Sequence, residues 1–208
     1  MKLIRISSVA LLMLGTAPVF ATDGHFKLLE PASRIAEDQR GDPQKAGPCG
    51  GATGTTPTMS GIVSQAVGGS KLHIKLQETI YHPGFYRVAL AVKSLDELPK
   101  DPVAVTRETE KGPFSVSGAI QSNPQMPVLA DGLFLHHTRP AAGVAMAPEE
   151  TDITLPNINC EKCTVQIVQF MEAHGLNKDG DYTYHHCADI KITVDPAKPV
   201  DKAWPGQS

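Results

Sequence analysis

The sequence has none of the features that mark several common protein classes. After residue 24, no run approaches the roughly 20 apolar residues that a membrane-spanning helix needs, so we expect no membrane span. Lysine and arginine total 19 against 22 acidic residues, and no basic cluster occurs, which argues against nucleic acid as a partner. No stretch has sustained helical periodicity, and no internal repeat is present.

The sequence also lacks the motifs of common hydrolases. It contains no nucleophile elbow, no phosphate-binding loop and no paired-carboxylate signature. Aromatic residues make up only 5% of the chain, and the single tryptophan, Trp204, lies in the C-terminal tail. A hydrolytic mechanism therefore has little support.

What is present begins with an export signal. Lys2 and Arg5 precede a short apolar run at 9–14, and small residues follow near Ala21. We predict that residues 1–24 form a signal peptide and that the protein is secreted or periplasmic. Four cysteines suit such an oxidising setting.

The exact cleavage position is left open by the sequence. Residues 19–21 meet the small-x-small rule best and give a chain that starts at Thr22, whereas residues 22–24 also meet it and would make His25 the first residue. A third cut, before Asp23, would leave an Asp-Gly-His terminus able to wrap Cu(II) in a square plane. Two of the three cuts thus give a metal-binding terminus.

His25 has special chemistry if it becomes the first residue. An N-terminal histidine offers a metal both its α-amine and its imidazole. A second histidine then completes a T-shaped site of three nitrogens, which suits copper because the divalent ion prefers tetragonal nitrogen ligation.

The pattern of the remaining chain predicts an all-β sandwich with long loops. Gly (18) and Pro (17) are plentiful, and apolar residues come in short alternating runs. We expect one domain over residues 25–195, followed by a tail at 196–208 that runs extended along the surface. The clearest strands are residues 71–77, 85–92, 164–170 and 182–194, with loop-like regions at 37–70 and 94–150.

Alternation places several polar residues on these strands and loops. In the first strand Leu72, Ile74 and Leu76 share one face, and His73 falls on the opposite, polar face. His82 lies in a tight connection before the second strand, where it is either a metal ligand or a turn histidine bonded to a carbonyl. Tyr184 falls on the core-facing side of the fourth strand, either as a core tyrosine or beneath a surface metal.

Two pairs of adjacent histidines are interpreted as structural or supporting residues. His185 and His186 lie on a strand, where neighbours point to opposite faces and cannot both bind one ion. His136 and His137 lie in a proline-rich region with no carboxylate or cysteine at ligand spacing. Neither pair predicts a zinc site.

The four cysteines are interpreted as two disulfides. Cys160 and Cys163 have the spacing of a redox or zinc motif, but a β-run follows them and no second close pair exists. Three connectivities are open. The favoured one joins Cys160 to Cys163 and Cys49 to Cys187.

Together these residues resemble a lytic polysaccharide monooxygenase, in particular bacterial monooxygenase-like proteins near the chitin-binding type-4 group. His82, followed by Gly84, Phe85 and Tyr86, is similar to a second brace histidine before a glycine and an aromatic-rich strand, and Tyr184, three residues before a cysteine, is similar to the axial aromatic. The resemblance covers most of the mature chain, at residues 25–31, 47–51, 160–166 and 184–190.

The resemblance implies an immunoglobulin- or fibronectin III-like sandwich, monomeric, that holds one mononuclear copper. The amine and ring of His25 and the ring of His82 would be its ligands, and Tyr184 a weak axial neighbour. Residues implied around the metal are Arg87, Gln166 and His186. The resemblance also favours cleavage after Gly24, although residues 22–24 are an unusual lead-in and a cut after Ala21 would remove the brace.

The function implied is oxidative cleavage of glycosidic bonds at C1 or C4 in chitin- or cellulose-like polysaccharide, with His25, His82 and Tyr184 as its catalytic residues. Tyr81 is the aromatic residue adjacent to a proposed ligand. Two alternatives stay open: a non-catalytic brace protein that captures copper or delivers it to a copper-handling partner, and a metal-free carbohydrate-binding or adhesive sandwich.

Overall fold

A computed structural model describes residues 25–52, 54–175 and 182–207 of the chain. The predicted signal peptide lies outside the described residues. Across the described ranges, no helix has both the length and the apolar character needed to cross a membrane.

Strands dominate the structure, and the described residues contain no α-helix. The strands are β1 (His25–Glu30), β2 (Val63–Val67), β3 (Lys71–Ile80), β4 (Gly84–Ala91), β5 (Val105–Thr109), β6 (Gly112–Val116), β7 (Val128–His136), β8 (Glu149–Thr154), β9 (Cys160–Met171) and β10 (Thr183–Thr193). One 3₁₀ turn, Leu95–Glu97, follows β4.

The strands form two main sheets. One has the order β1-β3-β8, the other the order β2-β10-β9-β4-β7, and β5 pairs with β6 in a separate hairpin. All pairings are antiparallel except that of β2 with β10. The predicted all-β sandwich with long loops is confirmed.

The core lies between the two sheets and follows the alternation read from the sequence. Leu72, Ile74 and Leu76 of β3 are buried, while His73 is exposed and contacts Asp152. They pack with residues of β4, β9 and β10 such as Val88. Burying each such side chain contributes about 1.5–3 kcal/mol, so this interface holds the sheets together.

Gly84 fixes the place where β4 begins. Its φ is +153°, and an added Cβ would overlap the carbonyl oxygen of Phe170 on β9. Only glycine lets β4 and β9 approach so closely at this position, two residues after His82. The His82 connection is therefore held tightly against β9.

Two disulfides join the cysteines in the pairing favoured from the sequence. Cys49–Cys187 ties the first long loop to β10 across 138 residues, and Cys160–Cys163 closes a short segment at the start of β9.

Both regions predicted to be loops contain strands. Region 37–70 contains β2, and region 94–150 contains β5, β6, β7 and the first residues of β8. β2 is a short strand at a sheet edge, and Gly132 (φ +70°) and three register shifts interrupt the β7 pairing, so a regular alternation is absent from the sequence.

The tail is not extended as predicted. Residues 195–207 form a series of turns instead. The Asn157 side-chain amide donates to the carbonyls of Asp195, Lys198 and Pro199, and Trp204 packs against the core. The hydrogen bonds that Asn157 offers explain why the tail folds back.

Candidate functional site

Strand pairing brings His25 and His82 to the same end of the sandwich. His25 lies opposite Ile80 in the β1–β3 ladder, and His82 follows Ile80 by two residues. Gly84 then pairs with Met171, the last residue of β9. We call this region, where β1 and β4 begin and β3 and β9 end, the histidine end.

The His25 ring is held by two polar side chains. It is 2% exposed, its Nδ1 lies 2.7 Å from Gln44 Nε2, and its Nε2 lies 3.3 Å from Asp42 Oδ2. The Phe26 amide donates to Gln44 Oε1 at 3.2 Å, so the amide nitrogen of Gln44 must face His25. Nδ1 therefore accepts from Gln44, and Nε2 carries the proton towards Asp42.

Tyr184 lies next to His25, on the side that alternation predicts. Its ring centroid is 5.3 Å from that of His25, at an interplanar angle of 35°. Tyr184 pairs with Gln169 of β9, which pairs in turn with Tyr86 of β4. These three side chains form one row on the core-facing side of the five-stranded sheet.

His82 lies in the predicted connection between β3 and β4. Its ring centroid is 4.8 Å from that of His174, which follows β9, and the two rings are tilted by 52°. The carbonyl of His82 accepts a hydrogen bond from His136 Nε2 at 2.6 Å. The backbone of the connection is thus fixed from β7.

A buried carboxylate, Glu78 of β3, contacts side chains on three other strands behind this site. Its Oε1 accepts from the Tyr86 hydroxyl at 2.9 Å and from Gln169 Nε2 at 2.6 Å, and it lies 3.2 Å from His136 Nε2. The hydrogen bond to Glu78 is the main cause that raises the pKa of His136 to about 9. Burial is the main cause that raises the pKa of Tyr86 well above its ordinary value.

Glu78 was not identified from the sequence, although a signal was present. It continues the buried face of Leu72, Ile74 and Leu76 at the next alternate position of β3. A charged residue on a core-facing position needs hydrogen-bonding partners, so it marks a place where polar groups meet.

His185 and His186 point to opposite faces, as predicted. His186 donates from Nε2 to the Phe26 carbonyl at 2.9 Å, and its Nδ1 lies 3.0 Å from Glu37 Oε1. Burial lowers the pKa of His186 to about 4 and raises that of Glu37 to about 7. On the other face, His185 contacts Asp101 at 2.9 Å. His186 therefore supports β1 one residue beyond His25.

Arg87 and Gln166 are not brought together with His25 and Tyr184. Arg87 follows Tyr86 by one residue, and Gln166 precedes Gln169 by three. Because side chains alternate along a strand, both lie on the face opposite the Tyr86–Gln169–Tyr184 row. Arg87 pairs with Asp131 at 2.7 Å, and Gln166 donates to the Pro48 carbonyl at 2.8 Å. Gln169, rather than Gln166, is the glutamine on the Tyr184 side.

His25 and His82, at one end of the sandwich, offer the type of donor that a histidine brace uses. Among the described residues, no group of three or more His, Cys, Asp or Glu side chains is placed to hold a metal ion. A brace needs only two histidines and a terminal amine, and nitrogen donors of this kind suit copper. A metal at His25 Nδ1 would take the place of the Gln44 amide.

The surface near His82 is not an open aromatic platform. Tyr81 is 9% exposed, and the Arg139 guanidinium lies 5.2 Å from its ring centroid. Beside it is a cavity of about 200 Å³, lined in part by Tyr81, His136 and Met146. Any flat ligand would meet Arg139 and its exposed neighbours before it met Tyr81.

No protein-family model matches this sequence, and no curated protein matches it either.

Proposed function

We propose that the protein is a histidine-brace copper enzyme, similar to lytic polysaccharide monooxygenases, that oxidatively cleaves chitin- or cellulose-like polysaccharide. One observation carries the proposal: the pairing of His25 with Ile80 brings His25 and His82 to one end of a β-sandwich, with the Tyr184 ring 5.3 Å from His25. The resemblance read from the sequence supplies the reaction type.

The chain's own residues have distinct roles in this proposal. His25, through its amine and ring, and His82, through its ring, would hold the ion, and bound copper would supply one-electron chemistry with O2 or hydrogen peroxide. Asp42, 3.3 Å from Nε2, would orient the His25 ring, and the Gln44 amide occupies the Nδ1 position that the ion would take. Tyr184 closes the core side of that ring.

The need for a free amine on His25 determines how the chain would be processed and where the protein would act. The amine of His25 becomes a ligand only when His25 is the first residue, so the proposal includes release of residues 1–24 during export to the periplasm or medium. The two disulfides are typical of such an oxidising compartment. The protein would act as a monomer on a polysaccharide surface.

Contact with polysaccharide would rest on polar side chains. Tyr81 is covered by Arg139, which is itself exposed, and Asp42 beside His25 is 37% exposed. Sugar hydroxyls accept hydrogen bonds from guanidinium groups and donate them to carboxylates. Arg139 and Asp42 are thus the residues at this end that would meet a glycan first.

One observation favours a second function, copper capture or delivery without glycan cleavage. The His174 ring lies 4.8 Å from that of His82, so an additional nitrogen donor stands beside the proposed ligand. If His174 also held the ion, fewer positions would be left for O2 or hydrogen peroxide. In that case a copper-handling protein, and not a polysaccharide, would be the partner.

Substitution of His82 tests the proposal. His82→Ala should weaken Cu(II) binding by orders of magnitude because it removes one of the proposed nitrogen ligands, and calorimetry on protein that starts at His25 measures the change. The matched control is His73→Ala, since His73 is an exposed strand residue bonded to Asp152. If both variants bind copper as the wild type does, the assignment is wrong.

Product analysis separates the two functions. Oxidised oligosaccharides released from chitin or cellulose in the presence of a reductant would support the enzyme. Tight copper binding without oxidised products across a broad panel of glycans would support the carrier.

A further inference from the structure

His174 is a histidine that no sequence pattern connected to the site. It lies in the loop after β9, and its ring centroid is 4.8 Å from that of His82. If two imidazoles bind one ion through nitrogens about 2.0 Å from it, their centroids are about 4.5 Å apart at a right angle and about 5 Å apart at a tetrahedral angle. The observed separation falls between these values.

The loop that carries His174 is fixed to the loop that carries His82. The amide of Glu172 donates to the carbonyl of Pro83, the residue after His82, at 2.7 Å. The two imidazoles are therefore held on neighbouring segments whose backbones are hydrogen-bonded to each other. Their proximity does not depend on long side chains.

The β5–β6 hairpin holds the same loop from the other side. Ser115 is fully buried, and its amide donates to the His174 carbonyl at 2.8 Å, while its hydroxyl accepts from the His174 amide at 3.0 Å. The hydroxyl also donates to the Met171 carbonyl at 3.0 Å. Ala173, between these contacts, has a φ of +56°, a conformation that a non-glycine residue adopts only where its surroundings impose it.

We propose that His82 and His174 form a two-imidazole metal site for Cu(II) that does not require the terminal amine of His25. Water, or the processed His25 where it is available, would complete the coordination. The inference rests on the proposed function for the role of His82 and adds His174 as a ligand. It also implies that the protein can bind copper before, or without, cleavage after residue 24. The buried hairpin serine, Ser115, is the residue that positions His174.

Two forms of the protein test this, one starting at His25 and one starting at Thr22. In the Thr22 form the histidine amine is part of a peptide bond, so the brace cannot form. We expect this form to bind Cu(II) still, and His174→Ala to weaken that binding by about tenfold or more. His137→Ala is the control, because His137 is an exposed histidine that pairs with Glu172 in the same loop region.

Electron paramagnetic resonance of the copper-loaded Thr22 form gives an independent readout. The wild type should show couplings from two imidazole nitrogens, and His174→Ala should show one fewer. Thermal unfolding of the metal-free variants checks that they fold, and His174→Asn, which keeps a polar side chain of similar size, should lose the same coupling.

Each outcome separates this inference from the proposed function. If the Thr22 form binds no copper while the His25 form does, the two-imidazole site is wrong and the brace stands. The two-imidazole site is likewise wrong if His174→Ala leaves the copper affinity and the spectrum of the Thr22 form unchanged. If the Thr22 form depends on His174 but the His25 form binds no more tightly, the two-imidazole site stands and the brace is wrong. Absence of binding in both forms overturns both.

Discussion

The two ends of the sandwich bury polar groups in different ways. At the end opposite the histidines, which we call the tail end, Asn157 binds the backbone of residues 195–199 through its neutral amide. At the histidine end, ionisable groups that are buried or partly buried meet in pairs beside the buried amides of Gln44 and Gln169: Glu78 with His136, and Glu37 with His186.

The difference is between a side chain that only makes structural hydrogen bonds and side chains that can also gain or lose protons. The Asn157 amide does not titrate, although Asp201, which accepts from the Asn157 backbone amide, and the Lys198–Asp195 pair add charged contacts at the tail end. Buried pairs of carboxylate and imidazole need partners to stay buried and respond to protons. A fold that needed only stability could have used amides at both ends.

Among the predicted changes in unfolding free energy, we expect the largest difference between the losses of the two disulfides. Loss of Cys49–Cys187, whose cysteines are 138 residues apart, should lower the free energy of unfolding by about 5 kcal/mol, whereas loss of Cys160–Cys163 near the tail end should lower it by about 2 kcal/mol, because a longer closed loop restricts the unfolded chain more. Denaturant unfolding of the two double alanine variants measures both. Equal losses would show that the first disulfide does not act chiefly on the unfolded chain.

Removing Glu78 should have the next largest effect. Glu78→Ala leaves Tyr86, Gln169 and His136 without their common acceptor, and we expect a loss of about 4 kcal/mol in unfolding free energy. At the tail end, Asn157→Ala should lose about 2 kcal/mol, since its hydrogen bonds are neutral.

Glu150→Ala is the control for loss of a carboxylate, because Glu150 is an exposed residue paired with Lys75, and its effect should stay within about 0.5 kcal/mol. If Asn157→Ala proves as damaging as Glu78→Ala, the contrast between the two ends does not hold.

The pH dependence of stability above pH 6.5 should report chiefly on His136 at the histidine end. The pKa of His136 is raised from 6.5 to about 9, so its stabilising contribution is complete below about pH 6.5 and is lost as the pH rises through 9. Between these values the unfolding free energy should fall by up to about 3 kcal/mol, measured by denaturant titration at several pH values.

His136→Gln should abolish the fall between about pH 7 and 9, because the shifted pKa values of Glu37 and His186 lie at about 7 and 4. The pKa of Glu37 is also raised, from 4.5 to about 7, so its contribution is likewise complete below 4.5 and lost as the pH rises through 7. Asn157→Ala should keep the full slope at a lower stability. A slope in His136→Gln equal to that of the wild type would remove His136 as its source.

Much of the sandwich follows from the sequence, and much of the candidate site does not. β3, β4, β9 and β10 were predicted because buried strands carry strong apolar patterns. β5 and β6 were missed because most of their residues are exposed, so burial imposes little alternation on them. Short edge strands share this weakness.

At the candidate site, local sequence context suggested His82 and Tyr184, whereas it gave no signal for His174. Its position beside His82 depends on hydrogen bonds between three separate segments, around Pro83, Ser115 and Glu172. Arg87 and Gln166 were expected around the metal from the resemblance, and the alternation of β4 and β9 puts them on the far face. Contacts made across loops leave no periodic trace in a sequence.

The burial of His25 bears on the order of events in the proposed processing. Its ring is enclosed and its carbonyl accepts a hydrogen bond from Thr79 at 2.9 Å, so the first residue of β1 is already part of the sheet. A peptidase needs its target bond in an accessible, extended segment. The proposed cleavage after Gly24 is therefore expected to come before β1 joins the sheet.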